Sequence, residues 1–433
     1  MMTQGDIKIL HDYIDGQIDG QIDSECFARL QTLLRGSHEA RRMLRDLSAV
    51  DAKMYEFAAG DPMTQRLLGL DSQVYHRRFR YWKILALAAL LFFAIGLGVL
   101  WLVPRGVNVE IVASRDGASS TWPQGGQLRL NELHLTHGSI QMRLTSGVLL
   151  DAIAPVTLEM VDPMQIRLLT GHVTIDAGDN GKGFVVDTPQ TRVVDLGTRF
   201  GVEANSDMKT DVVVFEGAVD LVDRQRDPKN GSVLRRISQG EAARVNSDQE
   251  LTRIMNVVGS SMTNEWSTDG PPVDCSIAKV TDNFFRDEDW FFYRIIPKGF
   301  VPGATAFANR PHTWEAVDGQ EFPKSIEGAD LVQTFRGARK KERFELQINI
   351  ARPSTLFIIM PKIGTPAAWL SQDFIRTGDE LMVHESDARP WIRLPFEIWK
   401  REITAPIVIT LGPANRDENG NPTAMYGIAA KSY

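Results

Sequence analysis

One stretch limits this chain more than any other. Ile84 to Val103, reading ILALAALLFFAIGLGVLWLV, holds no charged residue and no Asn, Gln, His or Pro. At about 1.5 Å rise per residue it makes roughly 30 Å of helix, the thickness of a bilayer's hydrocarbon core. A backbone crossing lipid must satisfy its own hydrogen bonds, and one uninterrupted helix does so. Tyr81 and Trp82 precede the stretch and Trp101 lies near its exit, where amphipathic rings prefer the interface; Pro104 ends it. The sequence therefore predicts a single transmembrane helix over 84–103. Arg77, Arg78, Arg80 and Lys83 crowd its amino side against Arg105 beyond it. That asymmetry predicts a cytoplasmic amino-terminal segment and a periplasmic carboxy-terminal part, in a single pass of the inner (cytoplasmic) membrane with the lipid bilayer as a partner. The residues before it, 61–83, form a basic juxtamembrane segment.

With 433 residues the chain has room for two or three domains. Its net charge of −7 and the lack of a basic domain argue against direct contact with nucleic acid. The two cysteines, Cys26 and Cys275, fall on opposite sides of the expected span and cannot pair within one molecule.

Residues 1–60 read as a small helical head. Ile7, Leu10 and Ile14 recur at helical spacing, as do Phe27, Leu30 and Leu34, then Met43, Leu47, Val50 and Met54. Ser24 and Ser37 are the expected N-caps of the second and third helices. The duplicated DGQIDGQID, Asp15 to Asp23, reads as a turn, since it lacks the twelve-residue spacing of a calcium loop. With Tyr13, Asp15-Gly16 and the EARRMLRDLSAVDA run from Glu39 to Ala52, the segment resembles the cytoplasmic heads of membrane-bound anti-sigma factors. Many of these carry a His-x3-Cys-x2-Cys zinc motif. Cys26 stands alone here, so no zinc is expected. The acidic residues Asp6, Asp12, Asp15, Asp19, Asp23 and Glu25 read either as a solvated face or as a surface for a basic partner.

Beyond Pro104 the apolar period becomes two, in short strands punctuated by Gly138, Gly147, Gly171, Gly217 and Gly240, so 106–245 is expected to be all-β. GFVVDTPQTRVVDLGTRFGVEA (Gly183 to Ala204), DVVVFEGAVDLV (Asp211 to Val222) and SQGEAARV (Ser238 to Val245) together resemble the FecR domain. That resemblance implies an inner-membrane regulator passing an outside signal to a cytoplasmic sigma factor. Gly197 and Gly201 are expected to mark close backbone approach or a bulge.

Polar residues 246–279, with Gly259-Ser260-Ser261 and Pro271-Pro272, read as a linker. Alternation returns over 280–433, which reads as a second all-β sandwich, jelly-roll-like in general pattern. GADLVQTF, ARPSTLFI, FEIWKREI and MYGIAA there resemble the carboxy-terminal extensions of large FecR-domain proteins. The fold class expected from the sequence is therefore multidomain: an all-α cytoplasmic head, a single transmembrane helix, an all-β FecR domain and an all-β sandwich.

No HExxH, CxxC, G-x-S-x-G or phosphate-cradling glycine frame occurs, so no catalytic residue, metal site or cofactor is expected, and the chain does not read as an enzyme. His134 and His137, three apart on a strand, face opposite sides. Asp417, Asn419 and Asn421 imitate the start of a calcium loop, but Pro422 stands where glycine is needed. Two loops offer polar and aromatic groups: 309–314, ending in Trp314, and 415–421. Trp314 is the candidate ligand contact. Two functions stay open at this point. One is a signal transducer that controls a sigma factor through residues 1–60. The other is a membrane-anchored module that binds an envelope protein or glycan and has no regulatory role.

Overall fold

The computed structural model describes residues 24–60, 106–116, 124–223, 232–260, 265–284, 290–385 and 393–433, together with residues 5, 7–10, 13, 118 and 122. The chain divides into two compact units, Met1–Pro104 and Arg105–Tyr433.

In the first unit two helices, Ser24–Gly36 and His38–Gly60, meet at Ser37. The Ser37 Oγ accepts the Ala40 N–H at 3.2 Å, the N-cap bond its position predicts. Leu10, Leu30 and Ala40 are buried, whereas Phe27 and Val50, expected in the core, are 44% and 57% exposed. So few short elements cannot cover every apolar group their stripes present. Glu25 pairs with Arg29 one turn on, at 2.5 Å. The other acidic residues of the expected head surface lie outside the described residues.

No helix among the described residues is long and apolar enough to cross a membrane. The fold class read from the sequence is corrected accordingly: the described architecture is a pair of helices followed by extensive β-sheet, without a transmembrane helix. His38–Gly60 has the length, but Glu39, Arg41, Arg42, Arg45, Asp46 and Lys53 line it, and lipid would strip their hydration. The stretch 84–103 itself lies outside the described residues.

The second unit is built from β-strands. Among the described residues a 14-stranded sheet runs from Val107–Arg115 to Leu251–Arg253. Its organising strand is Gln165–Asp176. The first half pairs in parallel with Val185–Asp187, the second half antiparallel with Arg199–Ala204. The strand serves two neighbours because its pairing shifts register before Thr157 of the preceding strand, Leu149–Asp162. Gly171 sits at that point with φ +100°, and a Cβ there would lie 2.4 Å from the Pro155 carbonyl oxygen. The sequence reads this glycine as a turn; the structure makes it a close approach within a strand.

A ten-stranded sheet and a three-stranded sheet enclose the second core, with Trp314, Tyr293, Phe335, Phe344 and Tyr426 at its centre. The three-stranded sheet comprises Ile277–Asp282, Leu346–Ile350 and Ile407–Leu411. Residues 246–279, read as a linker, are built into the sheets instead. Leu251–Arg253 is the last strand of the first sheet, and Asn256–Gly259 and Trp266–Ser267 edge the second.

Arg253 crosses this seam. Its guanidinium makes two 2.9 Å bonds to the Asp282 carboxylate, whose side chain is fully buried. Tyr293 donates its hydroxyl to the same carboxylate at 2.7 Å, and the Phe284 N–H donates at 3.0 Å. Removing one partner of such a pair leaves a buried charge uncompensated. Asp282→Ala is accordingly expected to cost about 3–5 kcal/mol of stability, read from urea unfolding of the purified chain; a loss below about 1 kcal/mol would mean that the pair does not hold the seam.

Candidate functional site

The D-L-G-T-x-F-G-V segment forms a locked turn. Asp195 is fully buried and accepts the Gly197 N–H at 2.7 Å, and it also takes the Thr198 hydroxyl. Burial raises its carboxyl above the ordinary value, and these donors act against that shift. Gly217, from the E-G-x-V segment, closes on this turn at φ +77°; a Cβ there would stand 2.4 Å from the Thr198 methyl. The corner at Thr188-Pro189 is tied in the same manner. Thr188 Oγ1 donates to the Thr191 carbonyl at 3.0 Å and accepts the Thr210 hydroxyl at 2.8 Å. Asp187 grips Arg192 through two bonds of 2.7 and 3.0 Å. Asp187, Thr188, Asp195 and Thr198 are thus used to hold the turns.

Gly201 has a different task. The Trp266 indole lies flat on it, and a Cβ would meet the ring at 2.3 Å. Trp266 donates its Nε1 proton to Thr174 Oγ1 at 3.0 Å and packs its ring 4.0 Å from the His172 ring.

Beside this contact the sheet register lines up a polar row. His172 faces Glu203, Glu203 faces Asp211, and Asp211 faces Arg244 on successive strands. Asp211 and Arg244 form a bidentate pair at 2.7 and 2.6 Å, and Thr268 donates to Asp211 at 2.6 Å. Glu203 has no such cation. Burial first, then the neighbouring charges of Asp211 and Asp269, raise its carboxyl to about 7, with Arg244 acting against them. Burial lowers the His172 imidazole to about 4. Both groups open on a cavity of about 510 Å³, walled by Ile153, Val258, Trp266 and Pro297. Sequence reading missed this constellation. Its members are scattered along the chain, and no spacing within one segment marks them.

The residues that the sequence singled out lie elsewhere. Trp314 is not in a loop: it belongs to the strand Arg310–Ala316, which turns back on Thr305–Phe307. Its ring is fully buried, 5.1 Å from Phe396 and 5.8 Å from Phe300, and Gly427 lacks a Cβ where one would meet the ring at 2.4 Å. In this conformation it offers no face to a ligand. In the loop 415–421 Asp417 Oδ1 accepts the N–H groups of Asn419 and Asn421, at 2.9 and 2.8 Å, and so closes a turn. The Asn421 bonds hold its carboxyl below the ordinary value. His134 bonds Thr157 and His137 bonds Thr136, on separate groups. Among the described residues no group of three or more His, Cys, Asp or Glu could hold a metal ion.

Two substitutions test these packings. Gly201→Ala is expected to cost about 1–3 kcal/mol by overpacking against Trp266, and the loss should shrink when Trp266→Phe is added, as a double-mutant unfolding cycle would read. Trp314→Ala is expected to cost about 3–5 kcal/mol in the same assay; an unchanged midpoint would mean that the ring is not a core residue.

Comparison with known proteins bears on the first sheet. Residues 129–220 match the family model described as FecR protein. No curated protein matches the chain. Two crystal structures of a "putative anti-sigma factor" from Parabacteroides distasonis ATCC 8503 are similar at 25% and 26% identity, with TM-scores of 0.24 and 0.23. Each similarity covers 28% of this chain and 58% of that one, so the chain spans little more than half the length of these proteins. A beta-glucuronidase from glycoside hydrolase family 2 is similar at 10% identity and a TM-score of 0.28, over 76% of this chain and 39% of its own. Overlaps this low in TM-score carry no argument about function. The family match falls on the sheet whose turns the motif residues lock, and a further all-β region follows it in the chain.

Proposed function

We propose that the chain is a non-enzymatic regulator that binds a sigma factor through residues 1–60 and adjusts that hold to a signal received by its β-rich region. The FecR match over 129–220 is the observation that carries this reading. The head supports it physically. Phe27 and Val50 leave apolar surface uncovered, and a groove of about 590 Å³ lined by Ile9, Ala28 and Leu33 lies against the first described helix. A partner helix with apolar side chains would cover both features. Association with the cytoplasmic membrane, as is usual for FecR proteins, belongs to the same proposal.

Binding of an envelope protein or glycan by residues 280–433 is the alternative. With Trp314 enclosed, contact through that ring would require the strand Arg310–Ala316 to move, which leaves the exposed tip 418–421 of the second loop as the candidate.

The test is capture of sigma factors by the tagged chain from its own cytoplasm, identified by mass spectrometry. Recovery of a sigma factor is expected. Phe27→Asp, at an exposed position, should weaken capture by at least about tenfold while leaving the helical circular dichroism intact. Failure to recover any sigma factor with a folded head would favour the alternative.

A further inference from the structure

The cavity beside Trp266 has the features of a ligand site that the regulatory reading does not use. Two polar atoms, His172 Nε2 and Glu203 Oε2, are enclosed without a hydrogen-bond partner. Both side chains line the cavity. Buried polar atoms left unpaired are costly, and a native fold keeps them where something else completes them. His172 and Glu203 face each other across two paired strands, so a single small group reaches both.

The lining fixes the sign of that group. Glu203, Glu265 and Asp269 contribute three carboxyl groups, and among the described residues no Lys or Arg lines the cavity. Arg244, the cation whose charge acts on Glu203, is spent on Asp211 through its bidentate pair. An anion would meet the repulsion of Glu203 and Asp269 here, whereas a cation would be drawn to them. Ile153, Ala154, Val258, Trp266, Pro272 and Pro297 give it apolar walls, beside Ser260 and Ser267. About 510 Å³ is the scale of a small-molecule pocket.

We propose that this cavity binds a small aliphatic diammonium cation, two primary ammonium groups joined by a short carbon chain. Its N–H groups bond Glu203 and the accepting nitrogen of His172, with Asp269 and Glu265 near the charge and the carbon chain against Trp266 and the two prolines. Because His172 stays neutral over the physiological range, its ring offers a lone pair without a competing charge.

The site has a pH dependence whose sign follows from its groups. Glu203 is faced by His172, Asp211, Asp269 and Glu265, with Arg244 as the one opposing charge. Its carboxyl, raised to about 7 in the empty cavity, must ionise to hold a cation, so affinity rises with pH through neutrality and falls as Glu203 takes up its proton.

Isothermal titration calorimetry of the purified chain with 1,5-diaminopentane tests the site, using 1,5-pentanediol and glutarate as neutral and anionic controls of similar length. Saturable one-site binding of the diamine alone is expected, roughly tenfold weaker at about pH 6 than at about pH 8. Glu203→Gln should weaken it by about tenfold or more. Asp269→Asn, on an exposed residue whose replacement leaves the fold alone, should weaken it to a smaller degree. Absence of diamine binding, equal binding of the diol, or affinity unchanged in both variants would overturn the proposal. A chain that binds the diamine but captures no sigma factor would leave this site standing and remove the regulatory reading.

Discussion

The buried ion pair between Arg253 and Asp282 decides how the β-rich part of the chain is put together. Arg253 ends the last strand of the first sheet, and Asp282 ends a strand of the three-stranded sheet. A guanidinium and a carboxylate taken out of water must find each other in good geometry, or the desolvation cost is not recovered. Here both carboxylate oxygens are used by Arg253, and Tyr293 and the Phe284 N–H add two further donors. Arg253 also donates to the Phe291 carbonyl. The pair therefore fixes the end of one sheet against the start of the next in one arrangement. An apolar contact of similar area would allow sliding; a bidentate one does not.

Trp266 adds the second constraint at the same seam. Its indole occupies the space left by the missing Cβ of Gly201 and anchors its N–H on Thr174. With Val213, Ala242, Ile254, Val257 and Phe292 it forms a small core of its own between the two larger ones. One motif glycine of the first sheet is therefore explained by a residue outside the motif. The seam also creates the cavity, because the segment that carries Trp266 lines it together with His172 and Glu203 of the first sheet. Any signal that altered the occupancy of that cavity would act where the two sheets join.

What the sequence determined by itself was local. Period-two alternation and glycine spacing located most strands of the first sheet, because a side chain's face in a strand depends only on parity. The DLGT stretch was legible as part of a family resemblance, and the structure adds that Asp195, Gly197 and Thr198 bond within one turn. Ser37 was legible as a cap, since its partner is three residues away. The apolar stretch 84–103 pointed to a membrane span by length and composition, and the described helices supply none.

What only the tertiary structure decided was pairing. Parity says that His172 and Glu203 each lie on one face of a strand, but not that the two strands are neighbours in a register that sets them opposite. Trp314 sits among polar neighbours in sequence, which made it look like a surface ring. The hairpin with Thr305–Phe307 turns it inward, where Gly427 has left room for it. The polar composition of 246–279 suggested a tether, yet its few apolar residues, Ile254, Val257 and Trp266, are the ones the seam needs. Composition averages over a segment, whereas packing depends on single side chains meeting partners far along the chain. That difference is why the strands could be read from the sequence and the seam, with its cavity, could not.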